Sequence, residues 1–111
     1  MKIEIREQAG VHVVRLSGEL TEDSGVVEAV SDLIAQPRAR VILDLTAVPF
    51  INSNGLGDLV RVTAQANVQE GRVVLANATP FVAGVMETTQ LNRFFEICAT
   101  KEEALERLEA P

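Results

Sequence analysis

Ser53 is the residue of this chain best placed to take part in chemistry. It follows the apolar run 41–45 after a short loop and precedes two nearby glycines. A serine hydroxyl at the start of a helix can accept a capping hydrogen bond. It can also carry a phosphate, because free N–H groups and the helix dipole favour negative charge there. The sequence therefore predicts either a phosphate acceptor or a structural cap at Ser53, with Asn54 as an alternative cap.

The residues around Ser53 indicate a contact surface. Gly55 and Gly57 have no side chains, so a neighbouring strand or a partner protein can approach the backbone closely. Their spacing fits neither a phosphate-binding loop nor a dinucleotide-binding fingerprint. Asn52 can contact a partner or simply favour the turn.

No other cluster of side chains predicts catalysis. His12, the only histidine, is predicted in a short strand far in sequence from Ser53, so no Ser-His-acid set is indicated. Cys98 is the only cysteine, which rules out an internal disulfide, and one His with one Cys makes a zinc cluster implausible. The acidic residues 102, 103, 106 and 109 are typical of a solvated helix face. We therefore expect a protein that is not an enzyme, with no catalytic residue, no metal site and no cofactor of its own.

Composition limits the class of partner. The 111 residues include 16 acidic and 10 basic side chains, a net charge of −6, and no Trp or Tyr. Such a surface repels nucleic acids and anionic membranes, and it offers almost no aromatic platform for bases. The start of the chain has no apolar signal core and no stretch suits a membrane span, so the expected location is the cytoplasm. The length predicts a single domain over residues 1–111.

Apolar periodicity predicts a β-β-α-β-α-β-α-β-α order, with strands near residues 3–6, 11–16, 41–45, 72–76 and 94–98. The first helix is expected to begin in the polar stretch 21–24, capped by Thr21, and to end at Pro37. The next runs from about Asn54 to Gln69. The later helices begin at Thr79-Pro80 and at the capping box Thr100 to Glu103. This order predicts an α/β fold with a mainly parallel sheet of four to five strands and about four helices.

The helix after Ser53 is expected to have two faces. The inward face is predicted to contain Leu56, Leu59, Val60, Thr63 and Asn67. The outward face is predicted to contain Asp58, Arg61, Val62 and Gln65. An apolar residue on a polar face can mark a binding surface, so Val62 is a candidate contact residue.

Several motifs, in this order, resemble a STAS domain of the anti-sigma-factor antagonist type. They are Leu16-Ser17-Gly18-Glu19-Leu20, Leu43-Asp44-Leu45-Thr46 through Phe50, Ser53-x-Gly55-Leu56-Gly57, Ala76 through Pro80, and Val85 through Leu91. The resemblance covers essentially the whole chain. The sequence departs from the family at Asn52, where Asp is usual, and at Asn54, where Ser or Thr is usual.

The resemblance implies a binding switch. The unmodified antagonist would bind an anti-sigma factor that is also a serine kinase carrying an adenine nucleotide. Phosphorylation of Ser53 would separate the antagonist from this partner, and a phosphatase would reset the cycle. The implied partner-binding residues are Gly18, Glu19, Thr21, Asp23, Asn52, Ser53, Asn54, Gly55, Leu56, Gly57, Arg61 and Val62. Some STAS proteins instead serve as unphosphorylated subunits of membrane lipid-transport ATPase complexes, which is the alternative function.

Overall fold

A computed structural model describes residues 1–109, and its five strands form one sheet in the order β1-β2-β3-β4-β5. Their bounds are Lys2–Gln8, Val11–Ser17, Arg40–Ala47, Arg72–Ala76 and Glu96–Cys98. The hairpin β1-β2 is antiparallel, and the other neighbours pair in parallel. The predicted mainly parallel sheet is confirmed. The predicted domain also includes residues 110 and 111, which lie outside the described residues.

Four α-helices connect or follow these strands, as predicted. Their bounds are Val26–Ile34 (α1), Ser53–Val68 (α2), Pro80–Thr88 (α3) and Lys101–Glu109 (α4). Thr79 caps α3 through a hydrogen bond from the Val82 N–H, and Thr100 accepts one from the Glu103 N–H at the start of α4. The Thr79 cap is confirmed. At Thr100 the hydroxyl half of the predicted capping box is observed, while the Glu103 carboxylate accepts from Arg107. No helix within residues 1–109 is long and apolar enough to cross a membrane.

The helices divide unevenly between the two faces of the sheet. The larger core joins β2, β3 and β4 to α1, α2 and α3. The smaller core packs α4 against the central strands on the opposite face. The buried β3 segment Val41–Leu45 contributes to both cores, which explains its nearly continuous apolar sequence. All three helices of the larger core are therefore positioned by the same central strands.

The first helix begins later than predicted. Thr21 is not its cap, because α1 begins at Val26 after Gly25, which has a left-handed backbone (φ 71°). The Thr21 hydroxyl instead accepts the Asp23 N–H inside a turn. The last strand is also shorter than predicted, because a 3₁₀ turn over Leu91–Arg93 leads into Phe94 and strand pairing begins only at Glu96.

Candidate functional site

Two segments distant in sequence are joined into one surface at the carboxyl ends of the central strands. The first is the turn after β2, residues 18–24, and the second is the loop and helix start at residues 50–57. The Leu20 N–H donates to the Phe50 carbonyl at 2.9 Å, and the Asn52 N–H donates to the Leu20 carbonyl at 3.2 Å. These bonds, with the isolated bridge Leu20–Ile51, extend the sheet pairing beyond the named strands. We call the two segments together the switch surface.

Gly55 allows the two segments to touch. A Cβ at this position would lie 2.1 Å from the Leu20 carbonyl oxygen. Any side chain there would push the first turn of α2 away from the residue 18–24 turn. Gly57, in contrast, has open space where a Cβ would be. Of the two uses expected for these glycines, Gly55 serves close approach within the fold, whereas no neighbouring atom requires a glycine at position 57.

Asn52, and neither Ser53 nor Asn54, caps α2. Its side-chain oxygen accepts a hydrogen bond from the Gly55 N–H at 2.9 Å, and its backbone is extended, as is usual for a cap. The predicted caps at positions 53 and 54 are therefore wrong. Ser53 is the first residue of α2 and is exposed. Its hydroxyl is not needed as the cap.

Glu22 places a carboxylate beside Ser53. Its Oε2 accepts hydrogen bonds from the side-chain amides of Asn52 at 2.9 Å and Asn54 at 3.4 Å, the residues on either side of the serine. The Asn52 bond, its own backbone N–H and the Asn54 bond lower the pKa of the Glu22 carboxyl. Sequence reasoning missed Glu22, because nothing in the local pattern links it to a loop 30 residues away.

Ser24 holds the turn in shape. Its hydroxyl donates to the Glu19 carbonyl at 3.0 Å and accepts the Thr21 N–H at 2.7 Å. The side chain is buried, so these bonds satisfy a polar group that would otherwise be costly. The turn therefore presents Glu19, Glu22 and Asp23 outward on a fixed backbone.

The other predicted contact residues divide by burial. Gly18, Thr21 and Gly57 are half-buried, while Asn54 and Arg61 are exposed, and Arg61 pairs with Asp58 at 3.3 Å. Leu56 is buried. Val62 is 0% exposed and packs in the larger core, so the predicted outward position of Val62 is wrong.

The error at Val62 has a simple geometric cause. The buried stripe of α2 consists of Gly55, Leu56, Leu59, Val62, Thr63 and Ala66. Residues 55, 59, 62 and 66 follow helical spacing, so the stripe is centred nearer Val62 than predicted and leaves Asn67 exposed. Val60 is half-buried at its edge.

An exposed aromatic pair borders the switch surface. The rings of Phe50 and Phe81 lie 5.2 Å apart, and the two residues are 38% and 48% exposed. The Thr79 hydroxyl donates to the Val48 carbonyl at 2.8 Å, which fixes the start of α3 against the loop before α2. Sequence reasoning did not single out this pair, because the residues come from different elements.

Asp44 fixes the strand ends beneath this loop. Its carboxylate accepts the Thr46 N–H at 3.1 Å, the Thr46 hydroxyl at 2.6 Å and the Asn77 side-chain amide at 3.3 Å. Burial raises the pKa of this carboxyl. The hydrogen bonds from Thr46 and Asn77, with the nearby Arg15 charge, outweigh burial and bring the pKa below its usual value. The ionised Asp44 therefore ties the end of β3 to the turn after β4.

The switch surface is suited to recognition by another protein. It presents an exposed hydroxyl and carboxylates on a hydrogen-bonded backbone, and the aromatic pair Phe50–Phe81 lies at its edge. Within residues 1–109, no three His, Cys, Asp or Glu side chains converge to hold a metal ion. Ser53 is an exposed hydroxyl at the centre of this surface.

Comparison with known proteins agrees with this architecture. The STAS domain family model matches residues 2–104. The chain belongs to the STAS domain family. A relative from Paenibacillus polymyxa named anti-sigma F factor antagonist is 30% identical over 112 residues, covering 98% of this chain and 96% of the relative.

Two solved structures have the same fold as this STAS domain. A Thermotoga maritima protein superposes with a TM-score of 0.88 at 21% identity, covering 97% of this chain and 95% of that one. The phosphorylated form of the Bacillus cell fate determinant SpoIIAA superposes with a TM-score of 0.69 at 23% identity, covering 96% and 99%. At these identities the likeness concerns the fold alone.

Proposed function

We propose that this STAS domain is an anti-sigma-factor antagonist that works as a phosphorylation-controlled binding switch. The unmodified protein binds an anti-sigma factor that is also a serine kinase, and phosphorylation of Ser53 releases it. The nucleotide is bound by the partner, and a phosphatase restores the unmodified state. The chain itself is a substrate and catalyses nothing.

The exposure of Ser53 and the contacts of its two neighbours support the proposal. Ser53 is exposed at the start of α2, and the residues on either side of it, Asn52 and Asn54, are held by the Glu22 carboxylate. The hydroxyl is thus accessible to a kinase, and the side chains on either side of it are held by one carboxylate. The name of the Paenibacillus polymyxa relative supports the regulatory role.

The charges explain why phosphorylation would oppose binding. A phosphate adds about −1.5 to −2 charges at neutral pH. At Ser53 these charges would enter a surface that already presents Glu19, Glu22 and Asp23. Docking would then have to desolvate the phosphate and hold it near any acidic partner group. A coupling of about 3 kcal/mol changes affinity by more than a hundredfold.

A phosphate on Ser53 suits the start of α2. The first turn of a helix has N–H groups without helical partners, and its dipole favours negative charge. A phosphate at Ser53 is therefore compatible with α2. The switch then acts through the contact surface, and the sheet and helices keep their places.

The proposal is tested by recovering the protein with its partners from its native cells and analysing its phosphopeptides by mass spectrometry. Phosphate on Ser53, with a kinase-like partner bound only to the unmodified form, is the expected result. The proposal would be overturned if Ser53 is unmodified under every growth condition and the stable partner is a transport ATPase. That result would indicate a constitutive subunit of a transport complex.

A further inference from the structure

The face of the sheet opposite α1 and α2 is only partly covered. Helix α4 packs over the central strands, and the β1-β2 hairpin extends beyond it. A cavity of about 350 Å³ lies between this part of the hairpin and the start of α4. Its volume is at the lower end of the range for small-ligand pockets.

The cavity wall carries a local positive charge. Its charged lining residues are four cations and two carboxylates, namely Lys2, Arg6, Arg15, Lys101, Glu4 and Asp44. This is a surplus of two positive charges in a chain whose net charge is −6. The strand register explains the clustering, because Arg15 on β2 lies between Glu4 on β1 and Asp44 on β3. Lys2 and Arg6 lie on either side of Glu4 along β1.

The two carboxylates do not use up these cations. Asp44 accepts three hydrogen bonds from Thr46 and Asn77, and its charge, which lies near Arg15, offsets only part of the positive charge of the lining. Glu4 pairs with Lys2 at 3.9 Å. Within residues 1–109, Arg6, Arg15 and Lys101 belong to none of the ion pairs. Like charges that converge on a concave wall raise the local potential and attract a counter-ion.

We propose that this cavity, which we call the basic cleft, binds a small phosphate-bearing molecule. The guanidinium groups of Arg6 and Arg15 supply paired donors suited to phosphate oxygens, and the ammonium groups of Lys2 and Lys101 supply point charges. Lys101 is also the first residue of α4, where the helix dipole favours an anion. The small cleft and the acidic remainder of the surface favour a small molecule over a nucleic acid.

This site is separate from the switch surface, because it lies on the α4 side of the sheet and uses neither Ser53 nor Glu22. It stands whether or not the protein is an anti-sigma-factor antagonist. Ser17 lines the cleft and directly precedes the residue 18–24 turn, so ligand binding has a short covalent path to the switch surface.

The test is a titration of the full chain with inorganic pyrophosphate at constant ionic strength, followed by amide NMR shifts. We expect saturable shifts at Arg15, Ser17 and Lys101, with a Kd in the millimolar range or tighter. The double substitution Arg6→Gln with Arg15→Gln should weaken binding by about tenfold or more, because it removes both guanidinium groups. Glu4→Gln should strengthen binding, because it removes a carboxylate that opposes the anion.

The matched control is Arg38→Gln with Arg93→Gln, which removes two exposed arginines outside the cleft and changes the net charge equally. Unfolding midpoints of all variants show whether each still folds, and Glu4→Gln gives a gain of binding that misfolding cannot produce. Shifts that do not saturate, or equal weakening by both arginine pairs, would overturn the proposal. Inorganic phosphate and a sugar phosphate, titrated in the same way, distinguish a free phosphate from an organic one.

Discussion

The side-chain amide of Asn52 lies 2.9 Å from the carboxylate of Glu22, which comes 30 residues earlier in the chain. The resemblance to anti-sigma-factor antagonists leads one to expect an aspartate at position 52. Here the residue next to Ser53 is an amide, and the carboxylate comes from the turn after β2. A negative charge is therefore held by the two residues on either side of the serine, although both of these residues are neutral.

Replacing Asn52 with Asp should disrupt this pairing. Asp is also a good helix cap, so α2 keeps its first-turn hydrogen bond. The Glu22 carboxyl would lose the bond that most lowers its pKa and would face a like charge, so its pKa should rise relative to the parent protein. A carboxyl ¹³C NMR titration measures this directly. Asn92→Asp, at an exposed position away from the turn, is the control. An unchanged Glu22 pKa in Asn52→Asp would mean that the contact is absent in solution.

Gly55 and Gly57 should respond in opposite ways to alanine. Gly55→Ala places a methyl group 2.1 Å from the Leu20 carbonyl oxygen, and we expect a loss of about 1–3 kcal/mol in the free energy of unfolding. Gly57→Ala meets open space within a helix and should stabilise the chain by about 0.5–1 kcal/mol. Urea denaturation of both variants measures the difference. Equal stability of the two variants would contradict the tight packing of α2 on the turn.

Much of the fold follows from local sequence, while the site depends on contacts between distant segments. The apolar run at 41–45 predicts a central strand, and Thr79-Pro80 predicts a helix start, because these signals act within a few residues. The sequence does not predict Asn52 as the cap, since Ser53 and Asn54 are also capping residues. Glu22 and the Phe50–Phe81 pair could not be recognised, because only the folded chain brings their partners together. Val62 was misplaced by a small rotation of the predicted helix face.

We expect ionised Asp44 to contribute to the free energy of unfolding, and this contribution should be lost at acidic pH. Its pKa is lowered in the folded state, so its contribution is complete above the ordinary pKa of an aspartate, about pH 4. That contribution is lost as the pH falls through the lower folded-state value. Asp44→Asn should therefore flatten the acid side of the stability profile. Urea unfolding from neutral to acidic pH tests this, and an equally steep acid decline in the variant would show that Asp44 is not responsible.

Phe81 should contribute to partner binding if the aromatic pair belongs to the contact surface. Phe81→Ala removes an exposed ring beside the switch surface, so stability should change little while partner affinity falls by about tenfold or more. Phe94→Ala is the matched control, because Phe94 is also exposed but pairs with Phe95 near the last strand. Affinities for the anti-sigma factor recovered from native cells give the comparison. Equal losses in the two variants would exclude a specific role for Phe81.

The most direct test of the binding switch is the affinity of that recovered partner for three forms of the protein. These are the parent protein, Ser53→Ala and the protein phosphorylated at Ser53. We expect the parent and Ser53→Ala to bind with similar affinity, because the hydroxyl is not the helix cap. We expect the phosphorylated protein to bind more than about a hundredfold more weakly, because the phosphate enters the contact surface. Equal affinity of the phosphorylated and parent proteins would contradict the switch.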